Sequence, residues 1–221
     1  MPEFSLVQLI LLIGIPLLFA ITVHEVAHGW VANKLGDPTA RMLGRLTLNP
    51  IKHIDPIGTI LIPALLLVFH APIMFGWAKP VPVTAQNFKK PRTGMAWVAA
   101  AGPGSNLLMA LIWLTTAWLA AVFSNQLPFI APLYWMGQFG VYINIGLGAL
   151  NLIPFPPLDG SRVLAGLLPP RGARALYRIE PYGLFIVALL LWTGVLSVVL
   201  NPVIFGFSRL LIGLVGLQPI F

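Results

Sequence analysis

Residues 5–32 read SLVQLILLIGIPLLFAITVHEVAHGWVA, an apolar run that ends by placing two histidines and a glutamate among aliphatic side chains. A helix needs roughly 20 mostly apolar residues to cross a bilayer, and the stretch from Ser5 to Ala32 exceeds that. It has no basic lead-in and no small-residue cleavage site, so it is read as a span and not as a signal peptide. The whole chain agrees with that reading. Of its 221 residues, 58% are hydrophobic and only 9% charged, against about 25% charged in a soluble domain. So few charges cannot cover a water-facing surface, which excludes a soluble globular enzyme, a disordered region and a nucleic-acid-binding arm. The net charge of +7 is spread among apolar stretches, as expected of loops facing anionic lipid. There is no cysteine, so disulfides, thiolate metal sites and cysteine nucleophiles are excluded.

Working outward, a second apolar stretch, Ile57–Phe69, is short for a full span. Further candidates are Met95–Phe123, Tyr134–Leu152 and Gly183–Leu200, and the apolar tail Pro202–Phe221 either spans the membrane or lies along it. Basic residues cluster in three connections: Lys34, Arg41, Arg45 and Lys52; then Lys79, Lys89, Lys90 and Arg92; then Arg162, Arg171, Arg174 and Arg178. The connection from Ser124 to Leu133 has none. The positive-inside rule makes the three basic loops cytoplasmic. Both flanks of Ile57–Phe69 then lie on one side, so this stretch must enter the membrane and return through Ala71–Val83. Irregular backbone at that depth is tolerated only against protein or a water-filled cavity. The expected fold is an all-α polytopic membrane protein. It has about five to six transmembrane or re-entrant segments, with short extended or hairpin segments near the cytoplasmic face.

Ionisable groups inside such segments are costly and point to function. His24-Glu25-Val26-Ala27-His28 puts two imidazoles one helical turn apart on one face, a spacing that lets both bind one zinc ion. Glu25, beside the first, reaches the metal-activated water without ligating the metal. The alternative is a polar stripe that hydrogen-bonds a neighbouring helix. A catalytic zinc needs a third protein ligand. His53 and His70 are loop or boundary residues, Glu3 lies at the wrong side, Asp37 and Asp55 fall in a basic loop, and Glu180 sits among arginines. Asp159 remains, at the depth of the histidines, between helix-breaking Pro154, Pro156 and Pro157 and the permissive Gly160. Its alternative roles are a helix cap or a partner for Arg162.

At this point the chain resembles the site-2 protease family of intramembrane zinc metalloproteases. Besides the histidine motif, it carries Asn49-Pro50 followed by His53-Ile54-Asp55-Pro56-Ile57-Gly58-Thr59, and Phe75-Gly76-Trp77-Ala78-Lys79-Pro80-Val81-Pro82-Val83. It also has Gly102-Pro103-Gly104-Ser105-Asn106, and Asn151-Leu152-Ile153-Pro154-Phe155-Pro156-Pro157-Leu158-Asp159-Gly160. The resemblance covers nearly the whole chain and is closest to the compact branch without PDZ or CBS domains. It implies a single integral-membrane metalloprotease domain over residues 1–221. It also implies one Zn²⁺ per chain held by His24, His28 and Asp159, with Glu25 as the catalytic glutamate. Asn106 and Asn151 are then candidates for holding substrate backbone, against simple packing through small residues. The segment Phe75–Val83 offers a strand edge to an incoming peptide, against a plain loop.

The activity so implied is cleavage of membrane-anchored, single-pass proteins within or near their transmembrane segment. It would take place in the lipid bilayer of a prokaryotic cell (inner) membrane, toward the cytoplasmic face, with no nucleic-acid partner. The rival readings are a metal-ion transporter and a non-proteolytic membrane metal-binding protein. Transporters usually show two matching halves, and the histidine segment has no second copy here.

Overall fold

The computed structural model describes residues 4–71 and 76–221. Glu3, and Phe75 at the start of the expected extended segment, lie outside the described residues. Helix α1 (Leu6–Lys34) follows the opening run. Ser5 caps it: the Ser5 hydroxyl accepts from Gln8 N–H, and the Gln8 side chain accepts from Ser5 N–H at 2.8 Å, so two orphan donors are satisfied reciprocally. At ~1.5 Å per residue α1 is about 43 Å long, enough to cross the membrane and carry His24 and His28 to its basic end. A short helix α2 (Thr39–Met42) follows.

The second apolar stretch behaves as a segment that goes in and comes back. A 3₁₀ turn (Pro50–His53), a π-helical turn (Pro56–Leu61) and helix α3 (Ile62–Val68) replace a span, and Pro56–Val68 is too short to cross. Asp55 starts it, its carboxylate accepting from the Ile57 and Gly58 N–H groups at 3.0 and 2.7 Å. From Gly76 onward the return leg runs without regular structure and is pinned at every second residue. Trp77 N–H donates to the Gly58 carbonyl at 3.1 Å, and the Trp77 carbonyl accepts from the Thr59 hydroxyl at 2.8 Å. Lys79 N–H donates to the His53 carbonyl, and the Lys79 carbonyl accepts from Arg45, both at 2.9 Å. Val81 N–H donates to Glu25 at 2.8 Å. Inward N–H groups at alternate residues are the signature of extended chain. Gly58 lets the return leg sit down, since a Cβ there would overlap the Trp77 ring.

Helices α4 (Pro91–Phe123) and α5 (Ala131–Asn151) form the expected hairpin, joined through a turn at Pro128–Ile130. They approach closely because Gly137 and Gly140 of α5 face Ala117 and Trp113 of α4 with no room for a side chain. Small residues at such interfaces bring helix backbones together. Helices α6 (Asp159–Leu167), α7 (Pro170–Trp192) and α8 (Val195–Leu214) complete the bundle. The expected span Gly183–Leu200 is broken. Gly194 adopts φ +77° between α7 and α8, a left-handed conformation that ends a helix and that glycine takes at no steric cost. Pro202 accordingly lies inside α8, not at the head of a separate segment. Beyond α8 the chain folds back onto α5. The Gln138 side chain donates to the Gln218 carbonyl at 3.0 Å and accepts from Ile220 N–H at 3.1 Å, and Ile220 joins Leu12, Ile145 and Ile212 in the main core.

Polarity is distributed inside out. Asn106, Gln138, Asn144 and Ser208 are fully buried, while Leu6, Val7, Ile10, Leu108, Ile112, Val198 and Val199 are exposed. Apolar surface on this scale has no place in water. Among the described residues α1, α4, α7 and α8 are long and apolar enough to cross a membrane. Helix α5 runs through the middle, with Gly137 to Tyr142 buried without a break. The protein is a multi-pass integral membrane protein.

Candidate metal centre

Three elements meet where α1 passes α4 and the turn leading to α6. His24 and His28, on one face of α1, point at Asp159, the first residue of α6. His24 Nε2 lies 3.0 Å from His28 Nε2 and 3.2 Å from Asp159 Oδ2, and His28 Nε2 lies 3.3 Å from the same oxygen. Protonation gives this triangle its meaning. His24 Nδ1 sits 2.6 Å from Asn106 Oδ1, and His28 Nδ1 sits 2.7 Å from the Val98 carbonyl. Both partners only accept, so both Nδ1 atoms carry the proton, and each neutral ring presents a bare lone pair at Nε2. Two lone pairs and a carboxylate oxygen therefore face one point, and buried Asp159 Oδ2 has no hydrogen-bond donor of its own. With both rings neutral, such an arrangement is repulsive unless a metal ion or a proton bridges it. It also has the right size: zinc ligands at about 2.0–2.1 Å in a tetrahedron stand about 3.3–3.4 Å from one another. Two imidazoles and one carboxylate leave a fourth position open, as catalytic zinc sites do.

Helix α4 supplies the floor. A Cβ on Gly102 would stand 2.5 Å from Cε1 of both histidines and 2.6 Å from His24 Nε2, so only glycine lets the two rings lie there. Gly160 is similarly forced, because its Cα packs against the carbonyls of Leu152 and Ile153. The cap and ion-pair alternatives for Asp159 find no support: α6 has no side-chain cap, and Arg162 pairs with Glu180 at 3.1 Å.

Glu25, half-buried, is anchored through Oε2 by Val81 N–H. Asn106 is fully buried, with Oδ1 on His24 and Nδ2 on Asn144 and the Ala20 carbonyl. Asn151, half-buried at the end of α5, donates to the Leu147 carbonyl at 3.0 Å. Of the other histidines, buried His53 bonds the Thr47 carbonyl at 2.9 Å and so belongs to the scaffold. Among the described residues His24, His28 and Asp159 are the one cluster able to hold a metal. Sequence reasoning missed Val98 and Asn144, and noted Gly102 only as part of the stretch that ends at Asn106. The Gly102-to-Asn106 spacing was visible, but not the face it shares with α1.

Outside the spans, Asp37 ties α1 to the exit of the extended segment. Burial pushes its carboxyl up, but donors from Thr39, Thr84 N–H and Asn87 outweigh that and hold it below the usual carboxylate value.

The profile of Peptidase family M50 matches residues 121–194. The chain is 42% identical over 192 residues to a Bacillus subtilis protein named "Putative zinc metalloprotease YwhC", covering 86% of this chain and 84% of that one. It is 30% identical over 181 residues to Rip2 of Mycolicibacterium smegmatis, which bears the same description, covering 81% of this chain and 66% of that one. Rip2 of Mycobacterium tuberculosis H37Rv is 28% identical over 204 residues, covering 91% and 73%. No solved structure matches.

Proposed function

The chain belongs to peptidase family M50, the site-2 protease family of zinc metalloproteases, and from that membership we propose that it cuts membrane-anchored proteins within or near their transmembrane segments. The observation that carries this is the position of the metal triangle. It lies inside a helical bundle with an apolar exterior, beside a glutamate held by an extended segment.

We assign zinc to His24 Nε2, His28 Nε2 and Asp159 Oδ2. Zinc, when bound, supplies Lewis acidity that polarises a carbonyl and brings the pKa of water to about 7. The chain's own residues do the rest. The two neutral histidines and single carboxylate leave the site positive, which suits a developing oxyanion. Val81 N–H fixes one oxygen of Glu25, and its carboxylate accepts a proton from the attacking water and returns it to the departing amine nitrogen. The scissile amide must first leave its helix, because helical carbonyls are engaged in i→i−4 hydrogen bonds. An unwound substrate strand then lies along Gly76–Val83, which leads to Glu25, and its main chain pairs with that edge. We assign Asn151, near the turn that carries Asp159, to the substrate backbone. Substrates are single-pass membrane proteins. The basic loops favour a site toward the cytoplasmic face, and the bacterial relatives favour a prokaryotic cell membrane.

Glu25→Gln tests the reading. Purified in detergent, the variant should keep about one zinc per chain, while cleavage of a single-pass substrate falls by about 10²–10⁴-fold. Mass spectrometry of the wild-type products should place the cut in the cytoplasmic part of the transmembrane segment. Glu25→Gln cleaving within about tenfold of wild type would remove Glu25 as the base.

A further inference from the structure

We propose that Asn106 and Asn144 are positioning residues that decide which ring nitrogen of His24 carries the proton, and thereby set the affinity of the site for its metal. The inference rests on the assignment of His24 as a zinc ligand. It begins at a backbone carbonyl that no ligand touches. Asn144, fully buried in α5, donates through Nδ2 to the Gly140 carbonyl one turn back, at 2.9 Å. That fixes its amide, so Oδ1 faces α4 and accepts from Asn106 Nδ2 at 3.1 Å. The same Asn106 nitrogen has the Ala20 carbonyl at 3.4 Å. Both of these neighbours are acceptors, so the nitrogen of Asn106 must face them and its oxygen must face His24. Oδ1 then takes the Nδ1 proton at 2.6 Å, and Nε2 is left bare toward Asp159. A polarity set at Gly140 thus passes through two amides and one imidazole to the metal position.

The two histidines differ in how this is secured. His28 Nδ1 donates to Val98 O, a main-chain carbonyl in a helix, which cannot turn round. Asn106 can. A flipped Asn106 amide would present its NH₂ to His24 Nδ1, force the proton onto Nε2, and close the ligand atom to metal. Asn144, the nearer of the two acceptors, and the Ala20 carbonyl together oppose the flip.

The test uses the full chain in detergent, with zinc competition titrations and ¹⁵N NMR of metal-free protein labelled in histidine. Asn106→Leu and Asn144→Leu should each weaken zinc binding by about 10–100-fold. Asn106→Asp offers a carboxylate oxygen to Nδ1–H, as many ligating histidines have, but turns its other oxygen toward the Asn144 and Ala20 oxygens, so it should bind zinc less tightly than wild type and more tightly than Asn106→Leu. A role in packing alone predicts the opposite order, because leucine fills the same space and a buried carboxylate costs more. In the NMR spectrum wild-type His24 should be protonated at Nδ1, and Asn144→Leu should show a second population protonated at Nε2. Wild-type zinc affinity in both leucine variants, with the His24 tautomer unchanged, would overturn the proposal. A wild-type chain that binds no zinc would overturn the ligand assignment and the affinity claim together. The tautomer signal of the metal-free protein tells the two failures apart.

Discussion

Gly102→Ala adds one methyl group at the floor of the metal triangle, and its effect can be worked from the packing. The new carbon would stand 2.5 Å from Cε1 of His24 and of His28, whose rings lie 4.6 Å apart at 90°. Carbon atoms rest at about 3.5–4.0 Å, so the rings or the two helices must part by about 1 Å. Metal sites hold their ligand distances to about 0.2 Å, and the Nδ1 hydrogen bonds to Asn106 and Val98 resist rotation of the rings. Loss of an outer-shell partner alone costs about 10–100-fold in metal affinity; displacing two ligands at once should cost at least about 100-fold. Overpacking should lower stability by about 1–3 kcal/mol, or roughly 2–12 °C in melting midpoint for a chain of this size. The assay is zinc competition beside a thermal melt, with Gly104→Ala as control. Gly104 lies on the same helix and has nothing within 4 Å of an added Cβ, so that variant should bind zinc like wild type. If Gly102→Ala bound zinc within about threefold of wild type and melted at the same temperature, the shared cradle would be wrong.

Two further outcomes separate the scaffold from the metal. Gly58→Ala should push Trp77 and the return leg away from the π-helical turn, costing about 1–3 kcal/mol; it should lower cleavage while zinc stoichiometry stays at the wild-type value, read by metal analysis of the same preparation. Asp37, whose folded carboxyl is held below the ordinary value, stabilises the protein fully above about pH 4, and that share is lost as pH falls through the folded value. Asp37→Asn should therefore be less stable near neutrality by about 1.5–3 kcal/mol, and its melting midpoint should converge with wild type on acidification; parallel curves down to pH 3 would count against the clamp.

The candidate metal cluster was largely legible in the sequence because its information is local or chemical. A four-residue spacing on a helix needs no tertiary knowledge, and elimination left Asp159 as the third candidate, which the fold brings to both histidines. Helices α1 and α4 were legible for a similar reason, since a long apolar run has few other readings. Two things were not. The break at Gly194 hides in an apolar stretch, because an isolated glycine is tolerated in membrane helices and only the backbone shows its φ of +77°. The part played by Asn106 depends on how α4 is rotated against α1 and on which way an amide faces. Neither quantity is encoded in spacing.

The extended segment has an outer side as well as a pinned one. Trp77, Lys79 and Val81 spend their N–H groups inward; of the residues between and beyond them, Pro80 and Pro82 are prolines, and the Pro80 carbonyl has the Arg45 side chain at 3.5 Å. Proline has no N–H, which makes that edge almost purely an acceptor of hydrogen bonds. Two copies of this protein therefore cannot zip together along it, a protection that exposed sheet edges commonly need. A visiting strand must instead bring the donors itself, at every second residue. For the proposed protease this is a rule of sequence reading: proline or an N-methylated residue at a paired position of the substrate should be refused, while the side chains between are free to vary.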